Sequence, residues 1–395
     1  MNALLIACAA ALAAVGQPDS TTLGIIGLPG GTASFELLAD GTIRAEGCLY
    51  RLLLGGGKAQ VDPGSWRRLD GWLPIFESQA EAGGVAYQCR LLSVHAAGGA
   101  LGGVVITARN VHLARRQATV WLEPLGKPGP LVWRADEGPS DWAEPRDEGS
   151  AFAWQVTLER GREACLTLKL AGPNAYLGEP DERQHSLERW RDAVEAEGIV
   201  RTPDANLNVL WKRSLVRLLL ADSQARAEAE KQAREAAQSS EAEAAPAPGA
   251  PTGGEVDLAE AAGTAARIKA MLVREQGEEL HLFAGIPGEW LALGKMTYVA
   301  QLPTRWGKIS CFLKAKQGWG QVVIYPPLGA RPQALVLHAP VGFKIAKAVA
   351  DGRPQPVEGG EAVRLPPDAH LVQLTWASEA GQDGQEAPQA SGKQG

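Results

Sequence analysis

The sequence lacks the motifs that bind metal ions, phosphates or nucleotides, or that carry nucleophilic catalysis. Its six histidines are scattered, and no two of them stand at metal-ligand spacing. No Gly-x-Ser-x-Gly is present, and Gly55–Lys58 (GGGK) lacks the spacing and the hydroxyl residue of a phosphate loop, so a hairpin turn explains it. His95, His281 and His338 lie in strand-like runs, where a hydrogen-bonded structural role is favoured over ligation. We therefore expect neither a metal site nor a cofactor.

Basic clusters and long hydrophobic runs are also missing. The net charge is −6, and the pairs Arg67-Arg68 and Arg115-Arg116 are isolated, which argues against nucleic acid as a partner. The apolar run Ala3–Val15 is too short to span a bilayer, and no other run approaches that length, so no membrane span is predicted. This run is typical of a signal peptide over residues 1–16, which predicts a secreted or periplasmic protein. Leu5–Cys8 resembles a lipoprotein box but comes too early, so lipidation is not expected.

Cysteine is scarce, and four of the five cysteines follow the predicted signal peptide: Cys48, Cys89, Cys165 and Cys311. An even count in an exported chain allows two disulfides in three connectivities. Each of the four also lies in an apolar, strand-like run, where a free cysteine behaves as a small hydrophobic residue. Free thiols are the favoured interpretation, and disulfides stay open.

Short runs of Val, Ile, Leu, Phe and Tyr, separated by Gly- and Asp-containing turns, make up most of the chain. Such runs, without helical patterns between them, predict antiparallel sandwiches. The predicted fold class is mainly β, with two antiparallel β-sandwich domains joined by a few helices and a disordered spacer. The predicted parts are an N-terminal β-sandwich at 24–183, linker helices at 184–238, a disordered Ala/Pro/Gly-rich spacer at 239–255, a helix at 256–273, a C-terminal β-sandwich at 274–376 and a disordered tail at 377–395.

Tryptophan dominates the aromatic set, with twelve Trp against six Phe and five Tyr. Several of them flank or interrupt an acidic, Pro-rich segment at 136–148. Carboxylates can bind sugar hydroxyls while an indole face stacks on the sugar ring, although a solvated loop with tryptophans in the core is the simpler interpretation. The candidate sugar-binding residues are Trp133, Asp136, Asp141, Trp142 and Trp154.

One predicted helix carries a wide apolar stripe. It begins after Thr202-Pro203-Asp204, and Leu207, Leu210, Trp211 and Leu215 recur at steps of three and four residues. Such a stripe is too apolar to remain in water. It predicts packing on other parts of the chain or docking of a protein partner, and we expect the chain itself to cover most of it.

The order of these parts resembles the six-hairpin glycosidases. The stretches that carry the resemblance are 71–94, 189–219 with Thr202–Asn208 (TPDANLN) at its centre, and 272–313. The resemblance implies N- and C-terminal β-sandwiches around an (α/α)6 barrel, and it is the barrel that holds the catalytic carboxylates in that family. Between Asn206 and Ile268, where the barrel would lie, this chain has about sixty residues. No catalytic residue can therefore be carried over.

Two hypotheses about function follow. The first is a non-catalytic, exported, carbohydrate-associated or structural module that resembles a glycosidase shell without its barrel. The alternative is a degenerate or split glycoside hydrolase that acts on a polysaccharide or oligosaccharide. The missing barrel favours the first, and carbohydrate and a protein partner both stay open as ligands.

Overall fold

The computed structural model describes residues 22–30, 35–96, 99–126, 132–135, 142–143, 146–147, 151–171, 180–221, 223–239, 257–292, 294–316 and 318–378. The predicted signal peptide, the spacer after residue 239 and the tail after residue 378 lie outside these ranges. Within them the fold is mainly β and its sheets are predominantly antiparallel, which confirms the predicted fold class.

The chain divides into two compact units, each drawn from three segments. The first unit comprises Met1–Val194, Lys212–Ala233 and Ala250–Gly263. The second comprises Glu195–Trp211, Arg234–Gly249 and Thr264–Gly395. The helical part of the chain is therefore shared between the units.

The first unit is a two-sheet sandwich. Its eight-stranded sheet has the order β1-β2-β3-β4-β10-β13-β12, with β5 on β4, and its six-stranded sheet has the order β11-β14-β9-β8-β7-β6. Tyr50 and Leu52 of the first sheet share one buried core with Tyr87 and Leu91 of the second. The strands are β1 Thr22–Ile26, β2 Phe35–Leu38, β3 Ile43–Ala45, β4 Cys48–Leu54, β5 Ala59–Gln60, β6 Arg67–Arg68, β7 Phe76–Ala82, β8 Val85–Ala96, β9 Gly99–Asn110, β10 Arg116–Pro124, β11 Val132–Ala135, β12 Arg146–Asp147, β13 Phe152–Leu158 and β14 Glu163–Ala171.

The second unit also has two sheets. The seven-stranded sheet has the order β15-β18-β19-β20-β26-β22-β23, and the five-stranded sheet has the order β16-β17-β21-β25-β24. Side chains such as Val299 and Ile324 of the first and Leu280 and Leu335 of the second are buried. The strands are β15 Ile199–Arg201, β16 Val273–Gln276, β17 Glu279–Leu282, β18 Met296–Thr304, β19 Gly307–Lys316, β20 Trp319–Tyr325, β21 Ala334–His338, β22 Phe343–Ala350, β23 Arg353–Gln355, β24 Val357–Glu358, β25 Ala362–Leu365 and β26 Leu371–Ser378.

One strand pair in the second unit runs parallel, unlike its neighbours. β17 and β21 are joined with His281 opposite Val336 and Leu282 opposite Leu337. About fifty residues of chain separate the two strands, including β18, β19 and β20 of the other sheet. This pairing therefore brings together side chains that are remote in sequence.

Four α-helices lie in the described ranges: α1 Pro180–Ala196, α2 Ala205–Leu220, α3 Ser223–Ser239 and α4 Leu258–Leu272. The Thr202–Asn208 motif forms the start of α2. The Asp204 carboxylate accepts hydrogen bonds from the backbone N–H groups of Asn206 (2.8 Å) and Leu207 (3.2 Å), as an N-cap residue does. The side-chain oxygen of Asn208 accepts a hydrogen bond from the backbone N–H of Thr202, and its side-chain NH2 donates one to the Thr202 carbonyl oxygen. The motif thus has a structural reason that is independent of any active site.

The four described cysteines are free thiols. Cys89 and Cys311 are buried in the first and second units, and burial raises the pKa of each to about 12. A thiol with so high a pKa stays protonated at neutral pH, so neither is a reactive nucleophile.

The apolar stripe of α2 is buried. Leu207, Trp211 and Leu215 are at most 4% exposed, and Leu210 is half-buried. The indole N–H of Trp211 donates to the carbonyl oxygen of Gly198 at 3.1 Å. These residues do not present an open surface in this structure, so docking of a protein on the stripe stays a prediction that would require its uncovering.

Replacing Trp211 tests this burial. Trp211→Ala removes a buried ring and leaves the Gly198 carbonyl without its partner, and we expect a loss of about 3 to 5 kcal/mol in the free energy of unfolding. Urea denaturation followed by circular dichroism measures it. Trp211→Phe keeps most of the apolar bulk and should lose only about 1 kcal/mol. Equal, small losses in both variants would show that the indole is not buried in solution.

Candidate functional site

Two of the five candidate sugar-binding residues lie in the core of the first unit. Trp142 and Trp154 are 5% and 0% exposed and belong to the core shared by the two sheets. A buried indole has no free ring face, so neither can stack on a sugar in this structure. Trp133 lies on β11, and Asp136 and Asp141 lie outside the described residues. Sugar binding by this segment stays a prediction.

The outer surface of the seven-stranded sheet carries an exposed apolar row. Tyr298 on β18 has Phe312 on β19 as its partner. Phe312 is in turn the partner of Val323 on β20, and Val323 is the partner of Leu371 on β26. Tyr298 and Leu371 are 38% and 37% exposed, and the other two are half-buried. Apolar side chains are thus neighbours on four successive strands, on the face that lies away from the core.

Polar side chains border this row on both sides. The next row along the sheet contains Lys314, Gln321 and Gln373, which are partners on β19, β20 and β26. On the opposite side lie two exposed residues, Gln301 and Tyr325. We call this surface the Tyr298 face, and it consists of Tyr298, Gln301, Phe312, Lys314, Gln321, Val323, Tyr325, Leu371 and Gln373.

A β-bulge shapes one edge of the Tyr298 face. The register of β18 against β19 shifts between Val299 and Leu302. Gln301 in the bulge has a φ of 55°, which residues other than glycine seldom adopt, and its N–H donates to the Ser310 hydroxyl at 2.9 Å. Strict alternation would place residues three apart on opposite faces, so the extra residue of the bulge lets Tyr298 and Gln301 share one face.

The tryptophans, which suggested sugar stacking in the sequence, do not form this surface. Ten of the twelve tryptophans are buried, so the residue type that suggested sugar stacking mostly fills cores. The available signal is in β18, β19 and β20, where the outward positions of strands in a water-facing sheet hold Tyr298, Phe312 and Tyr325 instead of polar residues.

The parallel pairing of β17 and β21 creates a histidine pair. His281 Nδ1 and His338 Nε2 are 2.8 Å apart, and the two rings stack with centroids 5.1 Å apart. His281 Nε2 lies 3.6 Å from the Glu279 carboxylate, whose other oxygen accepts a hydrogen bond from Arg364 on β25. The hydrogen-bonded structural role predicted for these two histidines is observed, but their contact with each other is not predictable from their spacing.

The histidine pair is held in its neutral form. Burial lowers the pKa of His338 to about 4, with further contributions from His281 and from the Arg274 guanidinium. Burial, followed by the charge of Arg274, also lowers the pKa of His281. At neutral pH both rings are therefore uncharged beside two arginines.

In the parts of the chain that the structure describes, no group of three or more His, Cys, Asp or Glu side chains is arranged to hold a metal ion. Among the same residues, no helix is long and apolar enough to span a membrane.

Comparison with known proteins gives no family. No family model matches the chain, and no curated protein matches it. Similar solved structures include a family GH92 alpha-mannosidase from Bacteroides thetaiotaomicron and its complex with mannoimidazole. Each is 9% identical, with a TM-score of 0.23 over 52% of this chain. This chain covers 40% and 39% of those two chains, less than half their length.

The neutral histidine pair predicts a loss of stability in weak acid. Between pH 6.5 and about 4 the unfolded chain binds protons at these imidazoles and the folded chain does not, so the free energy of unfolding falls as the pH falls. For His338 the full loss is at most about 3 kcal/mol. Urea titrations at pH 7, 6 and 5 should show this decline.

Two variants identify the source of the decline. His338→Gln removes one titrating group and should flatten the profile between pH 6.5 and 5. Leu328→Ala, which changes a fully exposed side chain that does not titrate, should leave it unchanged. A parent protein equally stable at pH 7 and pH 5 would contradict the assignment.

Proposed function

We propose that this chain is a non-catalytic, exported, carbohydrate-associated module whose second unit binds a glycan along the Tyr298 face. The observation that carries the proposal is the exposed apolar row from Tyr298 to Leu371, with amide and amine side chains along one border and Gln301 and the exposed Tyr325 along the other. Export is the prediction from residues 1–16.

The chemistry of the row suits a sugar chain. A pyranose has apolar C–H faces and a rim of hydroxyl groups. Aromatic rings such as Tyr298 can cover the C–H faces, and the side-chain amides of Gln321 and Gln373 can donate to and accept from the hydroxyls. Three interstrand steps span about 14 Å, which is room for several sugar units.

An uncovered apolar row needs an explanation in a water-facing sheet. Strands of an antiparallel sandwich ordinarily alternate apolar residues toward the core with polar residues toward water. The exposed row interrupts that alternation on four strands, and exposed apolar surface rimmed by polar groups is typical of a binding site. Ligand binding supplies the reason for keeping it.

The degenerate or split glycoside hydrolase is the second candidate. It is favoured by the resemblance of stretches 71–94, 189–219 and 272–313 to the six-hairpin glycosidases. It is disfavoured by the lack of sequence for the barrel that carries the family's catalytic carboxylates.

Binding to a panel of soluble and insoluble polysaccharides tests the proposal. We expect the full-length protein to bind at least one of them, and Tyr298→Ala to weaken that binding about tenfold or more, which corresponds to about 1.4 kcal/mol. Gln321→Ala should weaken it less, since it removes hydrogen bonds to hydroxyls that water can partly replace.

Leu328→Ala is the matched control, because Leu328 is fully exposed in the same unit and lies outside the Tyr298 face. It should bind as the parent does. Failure to bind any polysaccharide, or equal binding by the parent and Tyr298→Ala, would overturn the proposal.

The two candidates differ in turnover. Glycoside hydrolysis needs two carboxyl groups placed about 5 to 9.5 Å apart on either side of the scissile bond. We expect the purified chain to hydrolyse neither aryl glycosides nor oligosaccharides. Turnover that disappears when one carboxylate is replaced would establish the hydrolase instead.

A further inference from the structure

The outer face of the five-stranded sheet carries a cation that lacks a counter-ion. Arg274 on β16 is the partner of His281 on β17, so both side chains lie on this face. Arg274 is half-buried, and its Nε atom is buried without a hydrogen-bond acceptor. Among the described residues, none forms an ion pair with its guanidinium.

Two of the neighbouring carboxylates are already paired. Glu279 accepts from Arg364 and also lies beside His281. Glu275, the next residue after Arg274, lies 3.4 Å from the Lys269 ammonium. Glu358 on β24 also has a register position on this face, since it is opposite Ala362, which is in turn opposite His338. The strands of this face thus bring together two arginines, two carboxylates and two neutral imidazoles. Apart from His338, β21 places no titratable side chain on the described part of the face. A half-buried charge without a partner is costly, and an anion would offset that cost.

The histidine pair can complete an anion site by taking up a proton. The Glu279 carboxylate favours a hydrogen on His281 Nε2, so His281 Nδ1 accepts the hydrogen bond that His338 Nε2–H donates. His338 Nδ1 is then the nitrogen without a hydrogen. A proton added there creates a second N–H donor on a ring that already lies within the electrostatic influence of Arg274. An anion would stabilise both that proton and the guanidinium.

We propose that Arg274 and His338 bind an oxyanion, the carboxylate or sulfate group of an acidic sugar, together with one proton. The carrier of the oxyanion, a glycan, rests on the proposed function, whereas the oxyanion site rests on the geometry of this sheet alone. Because the neutral pair must gain a proton, binding is tighter at pH 5 than at pH 7. This site is distinct from the Tyr298 face, which lies on the other sheet.

Histidine side-chain NMR of the full-length protein tests the site directly. The titration of His338 is measured in chloride buffer, then with sodium glucuronate, a sulfated monosaccharide and inorganic sulfate. An anion that binds the protonated form tenfold more tightly raises the apparent pKa by one pH unit, and we expect a rise of about that size or more with glucuronate or the sulfated sugar. Identical titration curves in chloride and in all three anions would overturn the site.

Variants separate the site from general charge effects. Arg274→Gln should abolish the anion-dependent rise, and Arg274→Lys, which keeps the charge, should retain part of it. Arg331→Gln, on an exposed arginine near Asp368, should leave it intact. An undiminished rise in Arg274→Gln would contradict the role of Arg274, and a rise with inorganic sulfate alone would contradict an acidic sugar as the carrier.

The outcome is independent of glycan binding at the Tyr298 face. Tyr298→Ala should leave the rise in the His338 titration unchanged, and Arg274→Gln should leave binding of a neutral polysaccharide unchanged. Loss of the His338 rise in Tyr298→Ala would contradict two separate sites.

Discussion

The alternation of side chains along each strand is the constraint on which this structure depends. Inner positions such as Val299 and Leu335 are buried in the cores of the sandwiches, so their side chains cannot contact a ligand. Whatever the protein binds has to use the outer positions of a sheet, a loop or a helix. In the second unit the outer positions of the two sheets differ in chemistry. Those of the seven-stranded sheet include the apolar row of the Tyr298 face, and those of the five-stranded sheet include the charged and titratable side chains around Arg274.

The two outer faces suit different parts of one ligand class. The Tyr298 face offers apolar surface bordered by amides, which fits neutral sugar rings. The face around Arg274 offers a cation without a counter-ion and a proton acceptor in His338, which fits an acidic substituent. Both surfaces are built from rigid strands, so their side chains are positioned by the pairing of the sheets before any ligand arrives. Binding then needs little ordering of the protein.

Local features of the fold could be predicted from the sequence, whereas the two proposed binding sites could not. Strand-like runs, the capping motif at Thr202–Asn208 and the burial of Trp211 follow from short-range patterns that one stretch of chain contains. The contact of His281 with His338 depends on a parallel pairing across about fifty residues, which no local pattern specifies. The outward position of Gln301 depends on a bulge, and one inserted residue reverses every inference from alternation. Tryptophan count was a misleading signal, because large rings fill cores more often than they line binding surfaces.

The most direct test of the central claim is hydroxyl-radical footprinting of the full-length protein with and without a polysaccharide that it binds. Four exposed side chains of the second unit serve as probes: Met296, Tyr298, Tyr325 and Leu371. Hydroxyl radicals oxidise each of them at a measurable rate when the side chain is in contact with water. We expect the polysaccharide to protect Tyr298 and Leu371 and to leave the exposed Leu113 of the first unit unprotected. Unchanged oxidation of Tyr298 and Leu371, with protection confined to the acidic segment at 136–148, would contradict it.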